Sequence, residues 1–471
     1  MGFLHRIPSE IFRVSDLRGR VPDQINPSFA LALGATLSQH FPEGLIGVGF
    51  DTRASSEELA DALRTGLGRK GRTVMDLGRC PTEIVAFAVQ KGLVAAGVMV
   101  TASHNPEPDN GFKLFGGIRA KGSTRRLLDR VRSDLNQQNI FSSKTRLSSE
   151  VAGNEKVRAL PLIDQYVDEL VGSRSYSVQD QLIALNGLNG TARLVAEPLA
   201  ERLGLNVTWL HQTTDELPAE GPDPLKARLA GEMSRFVQSS NAGVGVAWDG
   251  DCDRCVFFDG AGEVIANAHT MAIMIDHFLA GRPDRKVVHD TKLVLSAERA
   301  LERQSGIGIR VATGSSPMRE ALLDTGAVYG GESSAHHYFG QLGGIDSGML
   351  AWLTMLDVIS NLDTSLADVA ARYRAEVAVG PELSFKVDDV TGLVDALEGI
   401  LKPNEIDLEV GALRSFADSE SFRMSMSPST TEDLMRFNFE SAQDAEVLHQ
   451  KTAEVLNLIE PFAVERASSV A

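Results

Sequence analysis

Along the chain, short apolar runs alternate with longer segments whose apolar residues recur at helical spacing. This is the pattern of strands buried on both faces between covering helices. An opening strand is expected within residues 11–19, and further strands over 45–50, 73–77 and 95–100. Helices are expected over 31–41, from Ser56 onward, and after Pro81. Ser56-Glu57-Glu58 supplies a cap and an acidic first turn. A polar, weakly patterned stretch reads as a linker over 140–158. Beyond it the alternation resumes, with a helix over 162–171 and strands over 182–185 and 242–248. A third stretch of the same kind begins near 260, with a helix over 268–280, strands at 286–290, 308–311 and 328–329, and helices at 347–360 and 365–374. From about 378 strands and helices mix as in an α+β unit, including a strand over 434–439. The chain therefore reads as an α/β protein of four domains, 1–157, 158–258, 259–376 and 377–471.

Composition narrows the function classes. A chain of 471 residues, 43% of them hydrophobic, can bury several cores. The net charge of −17 repels nucleic acid and anionic membrane, and no basic stripe offsets it. Arg125, Arg126, Arg130 and Arg132 read as one solvated helix face. No apolar run reaches spanning length, and the N-terminus lacks a signal peptide's apolar region. Arg6 stands where myristoylation needs Ser or Thr. Three cysteines, Cys80, Cys252 and Cys255, are too few for a disulfide framework, so a cytoplasmic setting is expected.

Candidate chemistry lies where strands end. The run at 95–100 enters Thr101-Ala102-Ser103-His104-Asn105-Pro106, which places a hydroxyl where open α/β sheets bind ligands. Pro108-Asp109-Asn110-Gly111 reads as a turn, with Lys113 just past it. A serine nucleophile needs a base, or cations and donors, and His104 adjoins this one. The hexapeptide reads equally as an ordinary strand-to-loop corner.

The run at 242–248 delivers Asp249-Gly250-Asp251-Cys252-Asp253-Arg254. Carboxylates two residues apart can point to one side, where their repulsion calls for a hard cation. An all-carboxylate set suits Mg²⁺ better than Zn²⁺. An EF-hand is excluded, because Arg254 and Gly260 stand where it needs Gly and Glu. Cys252 and Cys255 lack the second pair a structural zinc needs. The remaining alternative is an acidic surface turn.

Glu332, Ser334 and His336 suit hydrogen bonding to sugar hydroxyls, or a loop satisfying its own backbone. Ser427, Ser429, Thr430 and Thr431, near Arg436, read as an anion cradle or as a polar loop. The Gly-rich turn from Asn186 to Thr191 serves phosphate binding or packing, and Arg18 and Lys292 are surface charges by default.

Taken together, the motifs at 101–106, 249–254 and 331–336 resemble, in order and spacing, those of the α-D-phosphohexomutases. The stretch from Gly331 to Phe339 and Asp346-Ser347-Gly348-Met349 place the resemblance nearest the bacterial phosphomannomutase/phosphoglucomutase branch. The resemblance implies a heart-shaped fold of three similar α/β domains and a C-terminal α+β domain. It implies that Ser103 is the phosphorylated serine and that Ser103, Asp249, Asp251 and Asp253 hold Mg²⁺. Lys113, His104 and Lys292 match positions linked to proton transfer, and Arg254 the arginine beside the metal loop. Glu332, Ser334 and His336 match the sugar loop, and Thr313 and Gly314 a further substrate loop. Arg18, Ser427, Ser429, Thr430, Thr431 and Arg436 are the other expected substrate contacts.

Departures from the family pattern are Ser15 for Tyr, Ser315 for His, Ser333 for Met, and Ser427 for the arginine of the C-terminal phosphate loop. The last removes a bidentate clamp, with Arg436 or Arg423 as replacements. The implied activity is interconversion of hexose 6-phosphate and hexose 1-phosphate, mannose first and glucose second, through a 1,6-bisphosphate. Glucose 1,6-bisphosphate is the expected activator, a phosphosugar the partner, and a monomer or homodimer the assembly. A Mg²⁺-dependent phosphatase and a degenerate binding protein are the alternatives from other classes.

Overall fold

A computed structural model describes residues 8–13, 15–116, 123–137, 157–172, 174, 181–211, 216–403, 414–417, 421–428 and 434–466. The first sheet holds β1 (Asp16–Arg20), β2 (Ile46–Phe50), β3 (Val74–Arg79), β4 (Ala96–Val100), β5 (Asp109–Gly116) and β6 (Val157–Ala159) in the order β1-β5-β4-β2-β3-β6. Its helices are α1 (Pro27–His40), α2 (Ser56–Arg69), α3 (Thr82–Gln90) and α4 (Ser123–Gln137). β1, β2, β3, β4 and β6 run in one direction, while β5 runs antiparallel between β4 and β1. β2 and β4 are buried throughout, so both read as unbroken apolar runs.

The second unit has α5 (Ile163–Val171), β7 (Ile183–Asn186), α6 (Arg193–Leu203), β8 (Val207–Trp209), α7 (Ala227–Ser240), β9 (Val244–Trp248) and β10 (Cys255–Asp259), with strand order β10-β9-β7-β8. The third has α8 (Asn267–Leu279), β11 (Lys286–Asp290), α9 (Leu295–Gln304), β12 (Ile307–Val311), α10 (Ser315–Thr325), β13 (Tyr329–Gly331), β14 (His337–Phe339), β15 (Ile345–Asp346), α11 (Gly348–Ser360) and α12 (Leu366–Glu376), with order β12-β11-β13-β14-β15. In all three, parallel strands at the centre are joined by an antiparallel return.

The C-terminal sheet is antiparallel. It contains β16 (Ala378–Val379), β17 (Leu383–Val387), β18 (Lys402–Pro403), β19 (Arg414–Ala417), β20 (Phe422–Pro428), β21 (Met435–Ser441) and β22 (Ala463–Arg466), with α13 (Val390–Glu398) and α14 (Ala445–Ile459).

One apolar cluster runs from α3 through the second sheet into α8 and α11, so the first three units share a core. Trp248 meets Trp352 edge-on within it, ring centroids 5.5 Å apart. The C-terminal unit keeps its own core, with Phe385, Met424 and Phe437 at its centre.

Four local expectations need correction. Asp109 to Gly111 belong to β5 rather than to a turn. Gly111 is there because a Cβ would lie 2.1 Å from the Leu17 carbonyl of β1. Ser56 does not cap α2; its hydroxyl donates to Asp51 Oδ1 at 2.5 Å. The helix expected from residue 31 starts at Pro27, because Asn26 caps it by accepting from the Phe29 N–H at 3.0 Å. The linker expected over 140–158 lies outside the described residues up to 156, and Val157 and Arg158 already form β6. Arg125, Arg126, Arg130 and Arg132 are exposed on α4, as expected of a solvated face.

Glu83, in the first turn of α3, is buried in the shared core beside Ser347 and Tyr166. Burial pushes its carboxyl from an ordinary 4.5 up to about 8. The folded protein therefore keeps a proton that the unfolded chain releases, and stability should fall as pH rises through that window. Glu83→Gln should flatten the fall. Melting temperatures from about pH 5 to pH 8 test this, and an unchanged slope in the variant contradicts it.

Candidate active site

Four loops meet at the carboxyl ends of β4 and β9. Ser103 follows β4 and adopts φ 53°, a left-handed conformation that costs a non-glycine residue energy and turns the hydroxyl out of the strand. Its backbone N–H donates to Thr101 Oγ1 at 2.8 Å. From below, the buried Arg53 guanidinium donates to the carbonyls of Ser103 (2.7 Å), Asn105 (2.7 Å), Pro106 (2.9 Å) and Asp109 (2.9 Å). Asp51 pairs with that guanidinium at 3.3 Å. Arg18, on β1, adds bonds to Ala102 O at 3.1 Å and Asn105 Oδ1 at 2.8 Å. The serine loop is thus clamped on both sides.

The metal loop arrives from the second unit. Ser103 Oγ donates to Asp249 Oδ2 at 2.8 Å. This approach requires Gly250, where a Cβ would meet Pro222 at 2.6 Å and the Ser103 carbonyl at 2.9 Å. Asp249, Asp251 and Asp253 are buried, each with a carboxylate oxygen within 4.8 Å of the others. Burial and the neighbouring carboxylates Asp253 and Asp251 push Asp249 well above the usual carboxylate range. Asp253 goes the other way: burial opposes its charge, but Lys113 and His336 overcome it. Lys113 Nζ bonds Asp251 Oδ2 at 2.6 Å and also reaches Asp253 Oδ2. Thr82 Oγ1 donates to Asp251 Oδ2 at 2.5 Å.

The donor set fits a hard divalent cation. It is all oxygen, it is buried, and among the described residues Asp251 Oδ1 has no hydrogen-bond partner. No described cluster pairs Cys252 or Cys255 with other ligands; both thiols are free and buried.

His104 Nδ1 lies 3.2 Å from Ser103 Oγ, and its Nε2 lies 3.4 Å from Arg254 Nη2. A guanidinium only donates, so Nε2 accepts and Nδ1 carries the proton. The acceptor for the Ser103 hydroxyl is then Asp249 rather than His104. Burial, then Arg254 and Arg18, hold His104 well below its ordinary pKa. Arg254 stays close to Asp223 (3.8 Å) and Asp249 (3.9 Å).

The third unit closes this cluster. His336 Nε2 reaches Asp253 Oδ1 at 3.2 Å. Ser334 Oγ donates to Glu332 Oε2 at 2.8 Å and lies 2.9 Å from His336 Nδ1. Glu332 Oε1 accepts the Gly314 N–H at 2.5 Å. Thr313 Oγ1 and Ser333 Oγ donate to Asp290 Oδ2 at 3.3 and 2.7 Å.

These features coincide with what comparison finds. Three family models match the chain: Phosphoglucomutase/phosphomannomutase, alpha/beta/alpha domain I over residues 9–134, domain II over 164–262 and domain III over 267–375. The chain belongs to the phosphoglucomutase/phosphomannomutase family. It is therefore an enzyme of the phosphotransferase/isomerase kind.

A protein of Xanthomonas campestris pv. campestris named "Phosphohexose mutases" is 34% identical over 452 residues, 95% of this chain and 98% of that one. A "Phosphomannomutase" of Escherichia coli is 30% identical over 458 residues, covering 95% and 98%. In fold, the chain matches a phosphoglucomutase/phosphomannomutase family protein of Burkholderia thailandensis with TM-score 0.79 and 22% identity, over 99% of this chain and 100% of the other. Among the described residues no helix is long and apolar enough to cross a membrane.

Most residues singled out from the family pattern meet here: Ser103, His104, Lys113, Arg18, Asp249, Asp251, Asp253, Arg254, Glu332, Ser334 and His336, with Thr313 and Gly314 at the edge. Lys292, Arg436 and Ser427 form a second group. Lys292 Nζ and Arg436 Nη1 each lie 3.3 Å from Glu382, and Ser427 faces Arg436 across the β20–β21 register. Ser429, Thr430 and Thr431 lie outside the described residues. Arg423 is corrected as a substitute clamp: it is buried against Glu440. The Gly-rich turn at Asn186 is a packing element, since the Thr191 N–H and hydroxyl bond the Gly250 carbonyl at 3.0 and 3.2 Å.

Sequence reading missed Arg53, Thr82 and Asp223. Position just after a strand end signals Arg53 and Thr82; Asp223, in the loop before α7, carries no such signal. Arg53→Met should destabilise the protein by about 3 kcal/mol, since it strands buried carbonyls and Asp51. It should also cut kcat about 100-fold by loosening the serine loop. Urea melts and steady-state kinetics check both. A variant as active as the parent contradicts the clamp.

Proposed function

We propose that this chain interconverts hexose 6-phosphate and hexose 1-phosphate, mannose preferred over glucose, through phosphorylated Ser103 and a hexose 1,6-bisphosphate. The observation that carries the reading is the 2.8 Å contact of Ser103 Oγ with Asp249 inside a buried three-carboxylate cluster. Mannose comes first because the Escherichia coli relative is named a phosphomannomutase; glucose differs from it only at C2.

In this reading Asp249, Asp251, Asp253 and the oxygen on Ser103 hold Mg²⁺. Bound there, it neutralises charge on the transferring phosphoryl group. The bond from Ser103 Oγ to phosphorus breaks as a sugar hydroxyl forms its own bond to phosphorus. That hydroxyl's proton passes to His104, whose neutral ring keeps Nε2 as an acceptor. Lys113, the other residue linked to the transfer, is an ammonium paired with Asp251 and Asp253 and accepts only after giving up a proton of its own. Arg18 and Arg254 face the phosphoryl oxygens. Glu332, Ser334 and His336 grip the sugar hydroxyls, and Thr313 and Gly314 frame that grip. The bisphosphate turns over and returns its other phosphate to Ser103. Arg436, Ser427 and the loop containing Ser429, Thr430 and Thr431 receive the idle phosphate, and Lys292, linked by the family pattern to proton transfer, stands beside them against Glu382. Glucose 1,6-bisphosphate serves as activator by phosphorylating a dephosphorylated Ser103. The proposed divisions of labour follow the units 1–157, 158–258, 259–376 and 377–471. A cytoplasmic monomer or homodimer fits an enzyme of soluble phosphosugars.

Ser103→Ala should abolish turnover and remove the mass of one phosphoryl group gained on incubation with glucose 1,6-bisphosphate. An equal mass gain in the variant contradicts the assignment. Chelation with EDTA should stop turnover and Mg²⁺ should restore it; full activity in excess chelator would count against the metal loop. Mannose 1-phosphate, glucose 1-phosphate and N-acetylglucosamine 1-phosphate, assayed side by side, rank the sugars. Steady release of inorganic phosphate without isomerised product would instead favour a phosphatase.

A further inference from the structure

The chemistry above leaves a second buried ion pair unused. Arg423 on β20 and Glu440 on β21 face each other across the antiparallel register, and both are buried. Arg423 Nη1 donates to Glu440 Oε1 at 2.9 Å. The same guanidinium donates to the carbonyls of Thr291 at 2.6 Å and Lys292 at 2.8 Å, in the third unit. Ser425 Oγ adds a bond to Lys292 O at 2.9 Å. The two Glu440 oxygens accept the N–H groups of Val294 at 2.9 Å and Leu295 at 3.0 Å, where α9 begins.

The match is chemical as well as geometric. The guanidinium, which only donates, takes the carbonyls; the carboxylate, which only accepts, takes the helix-opening amides. Because the C-terminal unit has its own core, this fork is a notable joint to the third unit.

Lys292 projects from the gripped peptide, and its Nζ reaches Glu382 at 3.3 Å, whose other oxygen meets Arg436 at 3.3 Å. General packing between units could be achieved by apolar contact. A fork fixed on the two residues up to and including Lys292 does something narrower: it ties the lysine's backbone to the sheet carrying Arg436 and Ser427.

We infer that Arg423, Ser425 and Glu440 are positioning residues for Lys292, coupling its ammonium to the C-terminal sheet so that lysine and idle-phosphate site are set as one body. This rests on the proposed role of Lys292 at the substrate.

A double-mutant cycle in the full-length enzyme tests it. Arg423→Met should lower kcat about tenfold while Arg423→Lys, which keeps one donor arm, recovers part of the loss. In a Lys292→Met background, Arg423→Met should cost less than about twofold more. Ser425→Ala removes a single bond and should show the same dependence at about threefold, so it carries the test if Arg423→Met does not fold. Losses that simply add in the Lys292→Met background overturn the inference, as does a lowered melting temperature with unchanged kcat. If Lys292→Met alone leaves kcat intact, the role of Lys292 fails and the positioning claim with it, while the Ser103 chemistry stands on its own mass measurement.

Discussion

Three carboxylates buried at the end of one strand set the terms for this molecule. Unbalanced, Asp249, Asp251 and Asp253 would repel one another strongly in a low-dielectric interior. Arg254 of their own unit lies 3.9 Å from Asp249, and the other compensating charges come from elsewhere. Lys113 comes from β5 and Arg18 faces the cluster from β1, both in the first unit. His336 comes from the third. The loop beginning at Asp249 therefore draws two other units onto itself, and the apolar core shared by all three lies directly beneath. Assembly of the units and assembly of the site are one event.

The same logic explains the serine loop. Ser103 is held in a left-handed conformation that the chain would leave if released. Arg53 prevents release by occupying carbonyls along the whole bend, and Asp51 neutralises it from just past the end of β2. The rigid support is made of a backbone-binding cation, not of loop residues. A side chain that reaches the serine loop through its backbone carbonyls can thus control where the Ser103 hydroxyl sits.

The C-terminal unit is attached on different principles. It has a separate apolar core and meets the third unit partly through the Arg423–Glu440 fork. A joint made of directional bonds fixes register. The serine at Ser427, where the family pattern has an arginine, lies on this C-terminal unit. Under the proposed function, such a placement confines the change to the grip on the idle phosphate and leaves the Ser103 centre whole.

What the amino-acid order determined is what local physics determines. Unbroken apolar runs marked β2, β4 and β9, because parallel strands are covered on both faces. Hydroxyl and carboxylate motifs at the ends of β4 and β9 singled out Ser103 and the aspartates as candidates, since strand ends are where a loop can present chemistry. Tertiary structure alone decided which partners they met. Arg53 reads as one more charge after a strand until five carbonyl-bearing residues fold over it. Asp109 to Gly111 read as a turn until β1 lies against Gly111 closely enough to exclude a side chain. Arg423 read as a phosphate ligand until Glu440 and the Lys292 peptide enclosed it. In each case the deciding contact joins segments distant in sequence, so periodicity and propensity carry no trace of it.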